Sequence, residues 1–233
     1  MESTILNISV IGGGYVGLVT ASCFAYLGHT VRIVEIDTKK AELINKGVPP
    51  IYEEKLEDIL KQTSGKNLSA HSHYEGIDDA DIIFICVGTP PQDDGSADLT
   101  YITRASESIG AALKGSEKYH VITVKSTVPP GTTESVVIPA VMKSLGDSSD
   151  SVGFCMNPEF LREGRAIDDF LHPDRIVIGG SSEKAIQVVQ KAYEKLDAPV
   201  ITTSLKAAEM IKYTSNAFLA TKISFSNEIG NIC

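Results

Sequence analysis

Three glycines spaced Gly12-x-Gly14-x-x-Gly17 stand between a β-rich run, Ile5 to Ile11, and an apolar stretch of helical spacing, Tyr15 to Leu27. That placement restricts the fold more than any other feature of the chain. A strand that enters a helix through glycines makes a tight turn, and the helix start carries N–H groups without intrahelical partners. Gly12 permits the turn, Gly14 lets a phosphate approach the backbone, and Gly17 lets the helix pack closely on the sheet. A second strand, Val31 to Ile36, brings Glu35 and Asp37 to its end, at the spacing of about 20 residues expected for a ribose-binding acid. A carboxylate there accepts from ribose hydroxyls and repels a 2′-phosphate, which favours NAD over NADP. Arg32, Lys39 and Lys40 lie nearby as cations able to tolerate that phosphate. FAD and S-adenosylmethionine are rival occupants of such a turn.

The alternation continues along the chain. Helical spacing covers Lys39 to Lys46 and Glu53 to Gln62, and Asp81 to Val87 is an unbroken apolar run, as in a strand buried on both faces. Helices are expected at Tyr101 to Leu113, at Thr132 to Leu145 despite Pro139, and at Glu183 to Leu196. Strands are expected at His120 to Lys125, Val152 to Cys155, Arg175 to Ile178 and Val200 to Thr202, and Ala207 onward is helical to the end. Gly146 to Asp150 is expected to be a surface loop. Strand alternating with helix predicts an α/β, doubly wound, mostly parallel sheet followed by a long C-terminal helix.

Composition narrows the partners. At 233 residues with 42% hydrophobic and 22% charged residues the chain can bury a real core, and its net charge of −9 argues against nucleic acid or an anionic membrane. Cysteines 23, 86, 155 and 233 show no metal-like spacing, so reduced intracellular thiols and no metal are expected. The apolar N-terminal stretch lacks a basic lead and is interrupted by glycines, which predicts a cytoplasmic protein.

Two strand ends place loops on the same edge as the glycine turn. Val87-Gly88-Thr89-Pro90-Pro91 and Lys125-Ser126-Thr127-Val128-Pro129-Pro130-Gly131-Thr132 should face a ligand beyond the carboxyl ends of the strands. The segment Asn157-Pro158-Glu159-Phe160-Leu161-Arg162-Glu163-Gly164 adds two carboxylates four residues apart. On a helical turn these would share a face and suit proton transfer and water activation beside a cofactor. The same spacing also suits a solvated first turn of a helix.

These motifs, with Pro-Asp-Arg-Ile-Val-Ile-Gly at 173–179 and Ala-Glu-Met-Ile-Lys-Tyr-Thr-Ser-Asn-Ala-Phe at 208–218, resemble the UDP-glucose/GDP-mannose dehydrogenase family over nearly the whole chain. The Pro-Glu-Phe-Leu-x-Glu-Gly form looks like the branch acting on UDP-glucose. The resemblance implies a Rossmann-like domain over residues 1–203, the start of a long central helix over 204–233, and a two-step oxidation of the sugar C6 alcohol to the acid with two NAD and one water. It implies that Gly12, Gly14, Tyr15, Val16, Gly17, Glu35, Lys40, Gly88, Thr89, Pro90, Ser126, Thr127 and Glu163 bind NAD. Glu35 stands where the family usually has Asp. Lys212 would stabilise oxyanions with Asn216 beside it, Thr127 would orient the hydrolytic water, and Glu163 would act as general acid and base. Glu159, Phe160 and Leu161 would grip the sugar nucleotide, with Glu159 also close to the reacting centre.

The family's second oxidation uses a cysteine in a Gly-Gly-x-Cys-x-x-Lys-Asp segment that does not occur in these residues, and Cys233 does not match it. The UDP-binding C-terminal domain is also missing. The resemblance therefore implies the N-terminal half of a homodimeric enzyme, inactive alone, whose terminal helix exposes Ile223, Phe225 and Ile229. Two other readings stand beside it: a dehydrogenase of another UDP-sugar such as UDP-N-acetylmannosamine, or a non-catalytic NAD-binding or assembly module.

Overall fold

The computed structural model describes residues 4–146 and 151–233, so most of the loop expected at Gly146 to Asp150 lies outside the described residues. The strands are β1 (Asn7–Ile11), β2 (Thr30–Val34), β3 (Leu68–His71), β4 (Ile82–Ile85), β5 (His120–Val124), β6 (Val152–Met156), β7 (Ile176–Gly180) and β8 (Val200–Thr203). They form one sheet in the order β3-β2-β1-β4-β5-β6-β7-β8. Among the described residues every strand pairing is parallel except β6 against β7. The order reverses between β1 and β4, and a doubly wound sheet opens a crevice at that point beyond the strand ends.

The helices are α1 (Tyr15–Tyr26), α2 (Thr38–Asn45), α3 (Leu56–Thr63), α4 (Thr100–Ala112), α5 (Ile138–Leu145), α6 (Ala166–Leu171), α7 (Glu183–Ala192) and α8 (Leu205–Ile232). Period-two alternation divides the core between the two sheet faces. Ile82 and Phe84 of β4 meet residues of α1, α3, α6 and α7 in one cluster. Ile83 and Ile85 meet α4, α5 and the start of α8 in the other. Both faces are covered, which is why β4 reads as an unbroken apolar run. Among the described residues no helix is long and apolar enough to cross a membrane.

Several expectations need correction. β3 and α6 were not apparent in the sequence, because Leu-Ser-Ala-His is four residues long with its second and fourth side chains half-buried, and α6 is six residues. The helix expected from Thr132 is two elements: a π-helical turn at Thr133–Val137, then α5, whose first turn contains Pro139. A proline there lacks only an N–H that the first turn leaves unpaired anyway. α3 begins at Leu56 rather than Glu53, because Lys55 takes a left-handed conformation with φ 67°.

The helical turn expected at Glu159 to Glu163 is not there. Residues 157–162 are irregular, and side chain to backbone hydrogen bonds stand in for a helical ladder. The Asn157 amide donates to the Val177 carbonyl at 2.8 Å, and the Glu159 carboxylate accepts from the Leu161 N–H at 2.7 Å. Local bonds of this kind offer the backbone an alternative to the helix.

Candidate active site

The glycine turn is shaped by contact and by open space. Gly12 sits at φ +101°, where a Cβ would lie 2.8 Å from the Cys86 carbonyl oxygen, and a Cβ on Gly17 would overlap the Gly12 carbonyl. A Cβ on Gly14 would meet nothing within 4 Å. That space belongs to a cleft of about 260 Å³ lined by Gly14, Tyr15, Val16, Cys86, Val87, Gly88, Thr89, Lys125, Ser126, Thr127 and Glu159. α1 starts at its floor with no side-chain cap and no acid in its first turn, leaving its N–H groups for an anion. The residues present therefore fit a dinucleotide pyrophosphate.

The loops of the cleft are tied to each other. The Thr89 hydroxyl donates to the Thr127 carbonyl at 2.7 Å, and the Ser126 hydroxyl donates to the Val87 carbonyl at 2.6 Å. Ser126 is thus committed to the loop framework. On the opposite side, α8 holds the second loop through Glu209, which is fully buried. Its carboxylate accepts from the Gly131 N–H, from the Thr133 N–H at 2.8 Å and from the Thr133 hydroxyl at 2.6 Å.

Glu35 is buried and braces the turn from behind. One oxygen accepts from the Gly13 N–H at 2.8 Å and the other from the Asp37 N–H at 2.9 Å. Asp37 in turn caps α2 through the Lys39 and Lys40 N–H groups. Gly12, Gly17, Glu35, Lys40 and Pro90 do not line the cleft, in contrast to Gly14, Tyr15, Val16, Gly88, Thr89, Ser126 and Thr127.

A second cleft of about 360 Å³ carries Phe160, Leu161, Arg162, His172, Arg175, Lys212 and Asn216 on its walls. Lys212, only 5% exposed, points its ammonium at Glu159, 2.7 Å from the carboxylate, and lies 5.5 Å from the centre of the Phe160 ring. The guanidinium of Arg175 covers the same ring at 4.4 Å. Asn216 is exposed one helical turn beyond Lys212 on α8. Since Glu159 also lines the first cleft, the Lys212–Glu159 pair forms the boundary between the two. Glu163 is elsewhere, in an exposed turn lining neither cleft among the described residues.

Sequence reasoning passed over Lys125. It is 4% exposed, and its ammonium donates to Asn157 Oδ1 at 2.9 Å and to the Tyr193 hydroxyl at 3.2 Å. The rings of Phe84, Phe170 and Tyr193 surround it at 5.9 Å each. Burial lowers its pKa to about 8. The signal was a lysine directly following a strand buried along its whole length. At the cleft wall, burial pushes the Cys86 thiol up to about 12, which keeps it protonated near neutral pH. Burial raises Cys155 to about 12 and raises Cys23 as well.

Residues 6–197 match the NAD-binding domain of the UDP-glucose/GDP-mannose dehydrogenase family, and residues 206–233 match its central domain. A UDP-glucose 6-dehydrogenase of Bacillus subtilis is 46% identical over 230 residues, covering 98% of this chain and 51% of that protein. A GDP-mannose 6-dehydrogenase of Pseudomonas putida is 43% identical, covering 97% and 52%. The structure of a UDP-glucose dehydrogenase from Pyrobaculum islandicum superposes with a TM-score of 0.94 at 44% identity, covering 98% of this chain and 53% of that one. The chain spans about half the length of the relatives it matches. With the glycine turn, the switch point and both family segments in place, this chain belongs to the UDP-glucose/GDP-mannose dehydrogenase family and carries its NAD-binding domain.

Proposed function

We propose that these residues form the cofactor half of an NAD-dependent UDP-glucose 6-dehydrogenase, with 1–203 as the cofactor domain and 204–233 as the start of the central helix. The observation that carries this reading is the buried Lys212 ammonium paired with Glu159 where the two clefts meet. NAD supplies the hydride acceptor. Lys212 stabilises negative charge developing on the sugar C6 oxygen, where a preorganised cation in a water-poor site acts most strongly. Asn216 donates to the same oxygen from one turn along α8. Glu159, Phe160 and Leu161 orient the hexose against the cofactor cleft. Thr127, whose backbone carbonyl is held by Thr89, presents its hydroxyl to a water. Glu163, in the exposed turn that follows Glu159 to Arg162, exchanges protons with that water.

Cys23, Cys86 and Cys155 are buried and Cys233 does not stand in the family's cysteine segment, so on this reading the acid-forming step draws on a cysteine outside these residues. The 233 residues alone are expected to bind NAD and to form no glucuronate. Incubation with UDP-glucose and NAD, followed by mass analysis, tests this: sustained acid formation would contradict it. The 43% identity to a GDP-mannose 6-dehydrogenase favours one other substrate, and the complete protein should reduce NAD faster with UDP-glucose than with GDP-mannose. Equal rates, or GDP-mannose faster, would overturn the substrate assignment. The reading places the protein in the cytoplasm, where its soluble substrates are, and expects a homodimer through α8, where Phe218, Ile223, Phe225 and Ile229 are exposed. A complete protein that sediments as a monomer would contradict the dimer.

A further inference from the structure

Glu53 lies on the segment between α2 and α3, far in sequence from every motif above. Its side chain is buried, yet donors from two distant parts of the chain converge on it. One carboxylate oxygen accepts from the Tyr15 hydroxyl and from the Gly164 N–H at 2.9 Å, and the other accepts from the Ala166 N–H at 2.9 Å. Tyr15 is the first residue of α1 and a wall of the cofactor cleft. Gly164 and Ala166 bracket the junction of the Glu163 turn with α6. The Tyr15 hydroxyl lies 3.4 Å from the Arg162 carbonyl as well, so both ends of the turn meet the Tyr15–Glu53 pair.

No cation pairs with Glu53 among the described residues. Its charge is met by neutral donors alone, and a buried carboxylate is costly when any of them is lost. The chain also accepts an unfavourable left-handed conformation at Lys55, two residues on, to turn from this carboxylate into α3. Burial and the neighbouring carboxylate raise the Tyr15 phenol, which keeps it a proton donor.

We propose that Glu53 is a positioning residue that fastens the Glu163 turn to the first residue of α1, so that a cofactor held against Tyr15 also fixes the acidic turn. The proposal rests on the reading of Glu163 as an acid–base group and supplies what that reading lacks, a link from an exposed turn to the cofactor cleft. Bonds to a charged acceptor are among the stronger ones in a protein, so tightening the clamp should be visible at the two amides it holds.

Site-resolved hydrogen exchange on the 233-residue chain, with and without saturating NAD, tests the link. NAD is expected to slow exchange at the Gly164 and Ala166 amides by about tenfold, a change of the size expected for one charge-assisted bond. In Tyr15→Phe the hydroxyl is gone, and the NAD-dependent slowing should fall below about twofold even at saturation. Glu53→Gln sets an NH2 group against one of the amides, and both should exchange faster without NAD. Should that variant fail to fold, Tyr15→Phe carries the test alone. A carboxylate that only supports the fold would protect both amides equally whether or not NAD is present. NAD binding that leaves these amides unchanged, or slows them equally in Tyr15→Phe, would overturn the clamp. Failure of the chain to bind NAD would overturn the cofactor assignment itself, and the clamp with it.

Discussion

Lys125 keeps an ammonium where burial opposes it. In the unfolded chain this group has its ordinary pKa of 10.5, and in the fold it falls to about 8. Below pH 8 both states carry the charge, and folding bears the full cost of enclosing it. From about pH 8 towards 10.5 the unfolded state holds a proton that the folded state has released, so stability rises with pH in that window. Each pH unit within it contributes about 1.4 kcal/mol at most. Urea unfolding at pH 8 and pH 9.5 should show the wild type gaining about 2 kcal/mol relative to Lys125→Met, which has no such proton to lose. Parallel curves for the two proteins would mean that the ammonium is hydrated and its pKa ordinary. Few of these residue-scale roles were legible in the sequence. Glu35 occupies the expected position at the end of β2, but its carboxylate braces Gly13 and Asp37. Direction and burial of a side chain depend on neighbours more than 20 residues away, and Glu53, Lys125 and Glu209 take their partners from just such distances.

At the scale of elements, the β1–α1 turn separates two duties of glycine. A methyl group at Gly17 would strike the Gly12 carbonyl and push α1 off the sheet. Gly17→Ala should therefore lose about 1–3 kcal/mol of stability, as overpacked cores do, and lose NAD binding with it. Gly14 has extended backbone with φ −70° and open space at its Cβ, so Gly14→Ala should stay within about 1 kcal/mol of the wild type. Its NAD affinity should still fall by at least about tenfold, because the methyl occupies the phosphate approach. Chemical unfolding and calorimetric titration of both variants would check the separation; equal loss of stability in the two would refute it. The amphipathic α4 and the apolar runs of α1 and β4 were readable because pattern and burial agree. The acidic segment at 157–164 was misread because i,i+4 spacing describes a helix only when backbone N–H groups bond backward, and here side chains intercept them.

For the whole molecule, the sheet order was foreseeable only as a class. Alternation of strand and helix implied a parallel doubly wound sheet, but the reversal of β7 against β6 left no local mark in the sequence. That reversal precedes α8, whose first turns carry Glu209 and Lys212 into the site and whose far end stands free with exposed apolar side chains. The open carboxyl edge of the sheet thus has the cleft of the glycine turn, the Lys212–Glu159 pair and the second cleft side by side. A smaller cleft of about 180 Å³, lined by Ser9, Arg32, Ser69 and Asp79 among others, lies near the start of β4 and serves as an internal control.

The most direct test of the account is an amide NMR titration of the chain with NAD. Shifts are expected at Gly13 to Gly17, Val87 to Thr89, Ser126 to Thr127 and Glu159, with the Arg32 cleft silent. Shifts gathered around Ser9, Arg32 and Asp79, with the glycine turn unmoved, would contradict it.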